Sequence, residues 1–147
     1  MSTVPDFVYV TYIESSAERV WQALTDADIS AEYWGHRNES VWHVGSEWRH
    51  VRPDGSGIAD IVGTVLESDP PRRLVITFGG TTKATFLVEP HDGIVRVTVV
   101  HEDLTAEDYD ASAAGWPAVL ANLKTFLEAG HPLPQPPWEM PVAPAVR

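Results

Sequence analysis

The chain has no cysteine, which excludes disulfides, thiolate nucleophiles and Cys-ligated metals and suits a reducing compartment. Positive charge is also scarce: 10 Lys and Arg stand against 21 Asp and Glu, a formal net charge of −11. A field of that sign repels phosphate backbones and anionic bilayers, so nucleic acid is not expected as a partner. No run of about 18 apolar residues occurs, so membrane insertion is not expected either. The opening "MSTVPDFVYV" has no basic segment leading into an apolar stretch, and a cytoplasmic location is the expectation. The G-x-S-x-G, phosphate-loop and HExxH patterns of common hydrolytic, nucleotide and zinc chemistries are missing too.

What is present suits one domain with a real core. The chain has 147 residues, 44% of them hydrophobic, and six Trp; a domain of that length buries roughly 68–70% of its unfolded surface. "FVYVTYI" (7–13) reads as a strand. Ala17, Val20, Trp21 and Leu24 then fall on one helical face, with Ser15 and Glu18 at capping-box spacing. "DISAEYWG" predicts a second short helix stopped by Gly35. Between Ser40 and Leu104 the runs "SVWHV", "EWRHVR", "IADIVGTVLE", "RRLVITF", "KATFLVE" and "IVRVTVVHEDL" alternate with turn residues, the pattern of an antiparallel meander.

Trp116, Leu120, Leu123 and Leu127 form the stripe of a last helix, ended by Gly130 and Pro132. Pro117 lacks a donor and restricts Trp116, so this helix is expected to start near residue 116, with 105–115 a separate lead-in. Residues 131–147 hold six Pro and are expected to be an extended or disordered tail after a single domain over 1–130.

Seven strands form a sheet too broad for one helix to cover flat, and a sheet curled around that helix can leave a hollow. Alternation turns Trp48 with His50, then Ile76 with Phe78, then Phe86, then Val97, Val99 and His101, towards it; the last helix adds Trp116, Leu120 and Leu123. An apolar surface with a few polar points is the usual make-up of a small-molecule site. The same side chains could instead fill the interior completely. Trp21 is read as core. Among the six His, His43, His50 and His101 are those an inner face could gather, but their spacing fits no zinc pattern, so neither metal nor cofactor is expected. Glu67 and Asp69 read as solvated turn residues, and Arg49 points outward.

The stretches "SSAERVWQALTDADISAEYWG", "VGSEWRH", "GTVLESDPPRRLVITF", "TFLVEP", "VRVTVVHEDL" and "GWPAVLANLKTFLE" together resemble the SRPBCC (START-like, helix-grip) superfamily. The closest subgroup is the one homologous to the C-terminal domain of the activator of the heat-shock-protein-90 ATPase. The resemblance spans residues 7–129. Ser46 and Pro117 depart from it, standing where the family usually has a second Gly and a helix former. It implies an α+β helix-grip fold: a curved seven-stranded antiparallel sheet wrapped around a long C-terminal helix, with two short helices between the first two strands. It also implies a cavity for an apolar small molecule or lipid, with Tyr33 and Trp34 at its mouth. Chaperone activation is not carried over, because the eukaryotic activator also uses an additional N-terminal domain.

Three functions compete. The first is non-catalytic binding of an apolar small molecule or lipid through Trp34, Trp48, His50, Ile76, Phe78, Phe86, Val97, Val99, His101, Trp116, Leu120 and Leu123. The second is a cyclase- or hydrolase-like enzyme with His50 or His101 as acid or base. The third is an interaction or chaperone-associated module whose Pro-rich tail docks a partner as polyproline II, leaving the cavity untouched by tail deletion. Self-pairing of an edge strand such as "SVWHV" would make a homodimer.

Overall fold

A strand that alternates apolar with polar residues has one face to bury, and the strands of this chain bury that face on the same side. The computed structural model describes residues 4–142. It contains β1 (Phe7–Ile13), α1 (Ala17–Thr25), α2 (Ala27–Tyr33), β2 (Arg37–Glu39), β3 (Glu47–Val51), β4 (Ala59–Asp69), β5 (Arg73–Thr77), β6 (Lys83–His91), β7 (Ile94–Glu102), α3 (Ala106–Ala129) and a 3₁₀ turn at Pro137–Glu139. The strands form one sheet in the order β1-β7-β6-β5-β4-β3-β2. Every pairing is antiparallel. The first strand thus lies against the last, with Phe7 opposite His101 and Ile13 opposite Val95. Register shifts at His50/Val51 and Val65/Glu67 bend the strands. The curved sheet grips α3, with α1 and α2 between β1 and β2, as the resemblance implied. Among the described residues no helix is long and apolar enough to cross a membrane.

The short helices are set by side-chain caps. Ser16, one residue beyond the position expected, accepts from Arg19 N. Asp26 both ends α1 and caps α2, accepting from Asp28 N and Ile29 N, which fixes the bend between the helices. Trp21 is only partly buried, packed against the rim of the core.

Two expectations about elements are corrected. "SVWHV" is not a strand: the pairing segment is β2, and residues 40–46 form a loop. Ser40 Oγ accepts from Trp42 N and donates to Glu47 O, closing that loop on itself. Trp42 stands at φ 59° and its indole donates to Thr25 O. The β-branched Val41 and Val44 that suggested a strand are exposed, and the homodimer edge expected there has no strand to pair. The last helix, secondly, does not begin near residue 116. Thr105 and Asp108 form a capping box that starts α3 at Ala106, and the helix runs through Pro117 with one backbone bond fewer. Trp116, just before Pro117, packs edge-on against Trp34 and His101.

Trp48 shows how tightly the sheet is packed away from α3's first turns. It is fully buried, lies opposite Gly63 and donates across it to Thr77 O at 2.7 Å. A Cβ at Gly63 would overlap both the Trp48 indole and the Thr77 carbonyl. Gly63→Ala is therefore expected to lower the unfolding free energy by about 1–3 kcal/mol, the usual cost of overpacking. Urea denaturation followed by Trp fluorescence measures this, and an unchanged midpoint would show that the crossing is loose.

Candidate functional site

The composition of α3 decides where empty space is left. Its second half carries Leu120, Leu123 and Leu127, which fill the interior. Its first half presents Ala111, Ser112, Ala114 and Gly115, of which Ser112 reaches His101 on β7 while the other three carry little or no side chain. A cavity of about 540 Å³ lies there, within the range of small-molecule sites. Its far wall is Ile61, Phe78 and Thr82 with His50 and His101, and Trp34, His36 and Trp116 flank it. The rings meet one another: Trp34 and Trp116 centroids lie 5.6 Å apart, Phe78 and Trp116 5.4 Å, Trp34 and His50 5.0 Å.

The polar groups are few and placed. Trp116 Nε1 donates to His101 Nδ1 at 3.0 Å, and Ser112 Oγ is 3.1 Å from the same nitrogen. His101 Nε2 is buried without a hydrogen-bond partner, a vacancy that costs about 1–3 kcal/mol while unanswered. Burial holds the His101 pKa below its ordinary value. His50 Nδ1 lies 2.6 Å from Asn38 Oδ1; burial, and after it the neighbouring His36 ring, pushes its pKa down to about 3. His36 stacks on His50 with centroids 4.1 Å apart and rings 9° from parallel. Its Nε2 is 2.7 Å from Asp60 Oδ2. Asp60 in turn accepts two Arg52 bonds on Oδ1, and the guanidinium, then His36, hold its carboxyl down at about 2.

The segment after α3 completes the wall. Asn122, buried on α3, donates to Tyr33 O at 3.0 Å and Gln135 O at 3.2 Å and accepts from Leu133 N at 2.9 Å. One amide thereby ties both the end of α2 and residues 133–135 to the helix. The chain then turns at Pro137–Glu139, and Pro137, Trp138, Met140 and Val142 line the cavity. The Trp138 indole occupies the space a Cβ at Gly35 would need, and Gly35 itself stands at φ +77°, so both contact and backbone require glycine there. Trp138 meets the His36 ring edge-on at 5.6 Å yet stays 61% exposed, at the mouth. Of the residues expected to form an extended tail, 143–147 lie outside the described residues.

The residues read as ligand contacts divide in two. Trp34, His50, Phe78, His101 and Trp116 are on the cavity wall. Trp48, Ile76, Phe86, Val97, Val99, Leu120 and Leu123 face inward as alternation requires, but the structure places them in the packed core instead. Tyr33 also sits in the core rather than at the mouth, its hydroxyl donating to Ala23 O. His43 is exposed on the 40–46 loop, and His36 takes the place beside His50. Parallel stacking keeps those two imidazoles from turning their lone pairs on one ion, and no group of three His, Cys, Asp or Glu gathers among the described residues. His36, Trp138 and the small residues of α3 were missed; the run "ASAAG" on an otherwise apolar helix was the available signal.

Comparison with known proteins agrees with this architecture. The model of the family described as "Activator of Hsp90 ATPase homolog 1-like protein" matches residues 14–128. Among solved structures, SSP2350 from Staphylococcus saprophyticus superposes with a TM-score of 0.75 at 18% identity, over 88% of this chain and 96% of that one. The AHSA1-like protein from Aeromonas hydrophila gives 0.72 at 24% identity, over 86% and 94%. The Aha1 from Colwellia psychrerythraea, described as a dimer, gives 0.69 at 24% identity, over 86% and 98%. At these identities the likeness establishes the fold. No curated protein matches the chain.

The buried imidazoles carry a consequence for pH. His50 has a folded pKa near 3 against an ordinary 6.5, so between those values the unfolded chain binds the proton more strongly. The stability contributed by neutral His50 is present above about pH 6.5 and is lost as pH falls towards 3, and His101 acts with the same sign. Urea midpoints measured from about pH 7.5 to 4 are expected to fall, and His50→Gln to fall less steeply. Equal slopes for both proteins would contradict the buried neutral ring.

Proposed function

The chain belongs to the Activator of Hsp90 ATPase homolog 1-like family, and from that premise we propose that it binds an apolar small molecule or lipid in the cavity beneath α3, without chemistry on it. The observation that carries this reading is a cavity of about 540 Å³, open to solvent at Trp138 and lined by Trp34, Phe78 and Trp116. A row of small residues on α3 keeps this space open beside a packed core. Each 100 Å² of apolar ligand surface buried against the Trp34, Phe78 and Trp116 rings contributes about 2.5 kcal/mol before the cost of association.

One observation favours an enzyme: Ser112 Oγ stands 3.1 Å from His101 Nδ1, the pairing of a nucleophile with a base. The electrostatics argue against it. The Trp116 indole already occupies that lone pair at 3.0 Å, and burial disfavours the imidazolium a general base must become. The Pro-rich segment supports an interaction module less well, since its Pro137 and Trp138 help to enclose the cavity.

Native mass spectrometry of the purified protein, followed by organic extraction, tests the binding reading. A stoichiometric apolar molecule is expected on the whole chain, and its loss on deleting residues 131–147, which removes one wall. A clean unliganded mass, together with no uptake from an offered panel of apolar compounds, would refute it.

A further inference from the structure

The outer face of the sheet, turned away from α3, carries an apolar block at its β1 edge. Phe7, Tyr9 and Ile13 face the core, so Val8, Val10 and Tyr12 point the other way, and they are 54%, 40% and 53% exposed. The register sets Val8 beside Val100 and Thr85, and Val10 beside Thr98 and Leu87. These rows make a surface of mostly β-branched residues three strands wide, the kind on which another sheet packs. Scattered apolar residues on a surface are ordinary, but a contiguous group of them marks a contact.

Charge bounds the block on both sides. Beyond Val100 and Thr85 stand Glu102 and Lys83, opposite each other in the register and paired at 3.5 Å. Beyond Thr98 and Leu87 stand Arg96 and Glu89, likewise opposite and paired at 2.8 Å. The signs run in opposite order: β7 has its anion at one end and its cation at the other, and β6 has the reverse. Tyr9, Val99 and Phe86 lie opposite one another midway between the two ion pairs. A twofold axis crossing the strands at that level, between two outer faces, exchanges the two ends. It sets Glu102 against the partner subunit's Arg96 and Lys83 against the partner subunit's Glu89, with Val8 against the partner subunit's Val10. Two copies of a chain of formal net charge −11 repel each other over most of their surface, whereas here opposite charges meet around an apolar centre.

Pairing of two β1 edges is closed off by α3. Lys124 Nζ donates to Tyr12 O, and Glu128 Oε2 accepts from Glu14 N at 2.8 Å, so side chains already occupy main-chain groups of the edge. We propose that the outer face of β1, β7 and β6 docks a second copy of this chain, face to face about that twofold axis, as a weak homodimer. Three strands about 4.8 Å apart, on a sheet that curves away on this side, cover less than the ~800 Å² per partner of a stable complex, so association is expected only at high micromolar concentration. The cavity lies on the other side of the sheet, and the two readings stand or fall separately.

Sedimentation velocity on the whole chain over a range of concentrations, with two charge reversals, tests it. Lys83→Glu with Glu102→Lys reverses one ion pair while keeping it within the chain, but sets like charges against the partner subunit's Glu89 and Arg96; the dimer is expected to weaken about tenfold or more. Adding Glu89→Arg and Arg96→Glu reverses the other pair too, and affinity is expected to return to within about threefold of the starting value. If the first variant does not fold, dilution of the ¹⁵N-labelled intact protein decides. Amide signals of residues 8–12, 83–89 and 96–102 are expected to move, and movement confined to other residues would overturn the interface. A monomer at every concentration, or a dimer equally tight in all three proteins, would overturn the proposal, the first result leaving the patch to a different partner.

Discussion

Asn122 is the side chain on which the cavity depends. Its amide is 1% exposed and joins three backbone groups from two distant parts of the chain. A buried amide with both ends satisfied costs little, whereas removing it would orphan the Leu133 N–H and two carbonyls together. Through Tyr33 it sets the end of α2, and so the position of Trp34; through Leu133 and Gln135 it sets the path of the chain to Trp138. Two of the aromatic walls are thus positioned by one residue that touches neither the cavity nor a ligand.

The rest is a division of labour along α3. Its leucines close the core against the sheet, and its small residues withhold volume where the sheet curves away. Trp116 sits at the boundary between the two, packed against Trp34, Phe86 and Phe78 and bonded to His101. That bond also fixes the state of the histidine, so the geometry of the helix and the chemistry of the cavity are coupled through one indole.

Much of the fold was legible because period-2 alternation and helical stripes each report one buried face. Trp48, Ile76, Phe86, Val97 and Val99 were read as inward, and they are. Alternation does not say how far the opposing helix stands from the sheet at each level, so it could not separate core from cavity wall. The start of α3 was misplaced because Pro117 was weighed without the Thr105–Asp108 capping box, which marks the helix start at Ala106. The loop at 40–46 misled through β-branched residues that turn out to face solvent. The closing segment was the least legible part. A Pro-rich stretch has no periodicity, and it is held by backbone bonds to Asn122 and one indole on Gly35, contacts that leave no pattern in the residues that make them.

The central claim is that a ligand enters between Trp34, Trp116 and Trp138. Each of the six Trp carries its own indole N–H, so ¹H–¹⁵N spectra of protein labelled at tryptophan, with and without the best-binding compound, test it directly. The account predicts that the signals of Trp34, Trp116 and Trp138 shift while those of Trp42 and Trp48 stay in place. Shifts confined to Trp42 and Trp48, or spread evenly over all six, would contradict it.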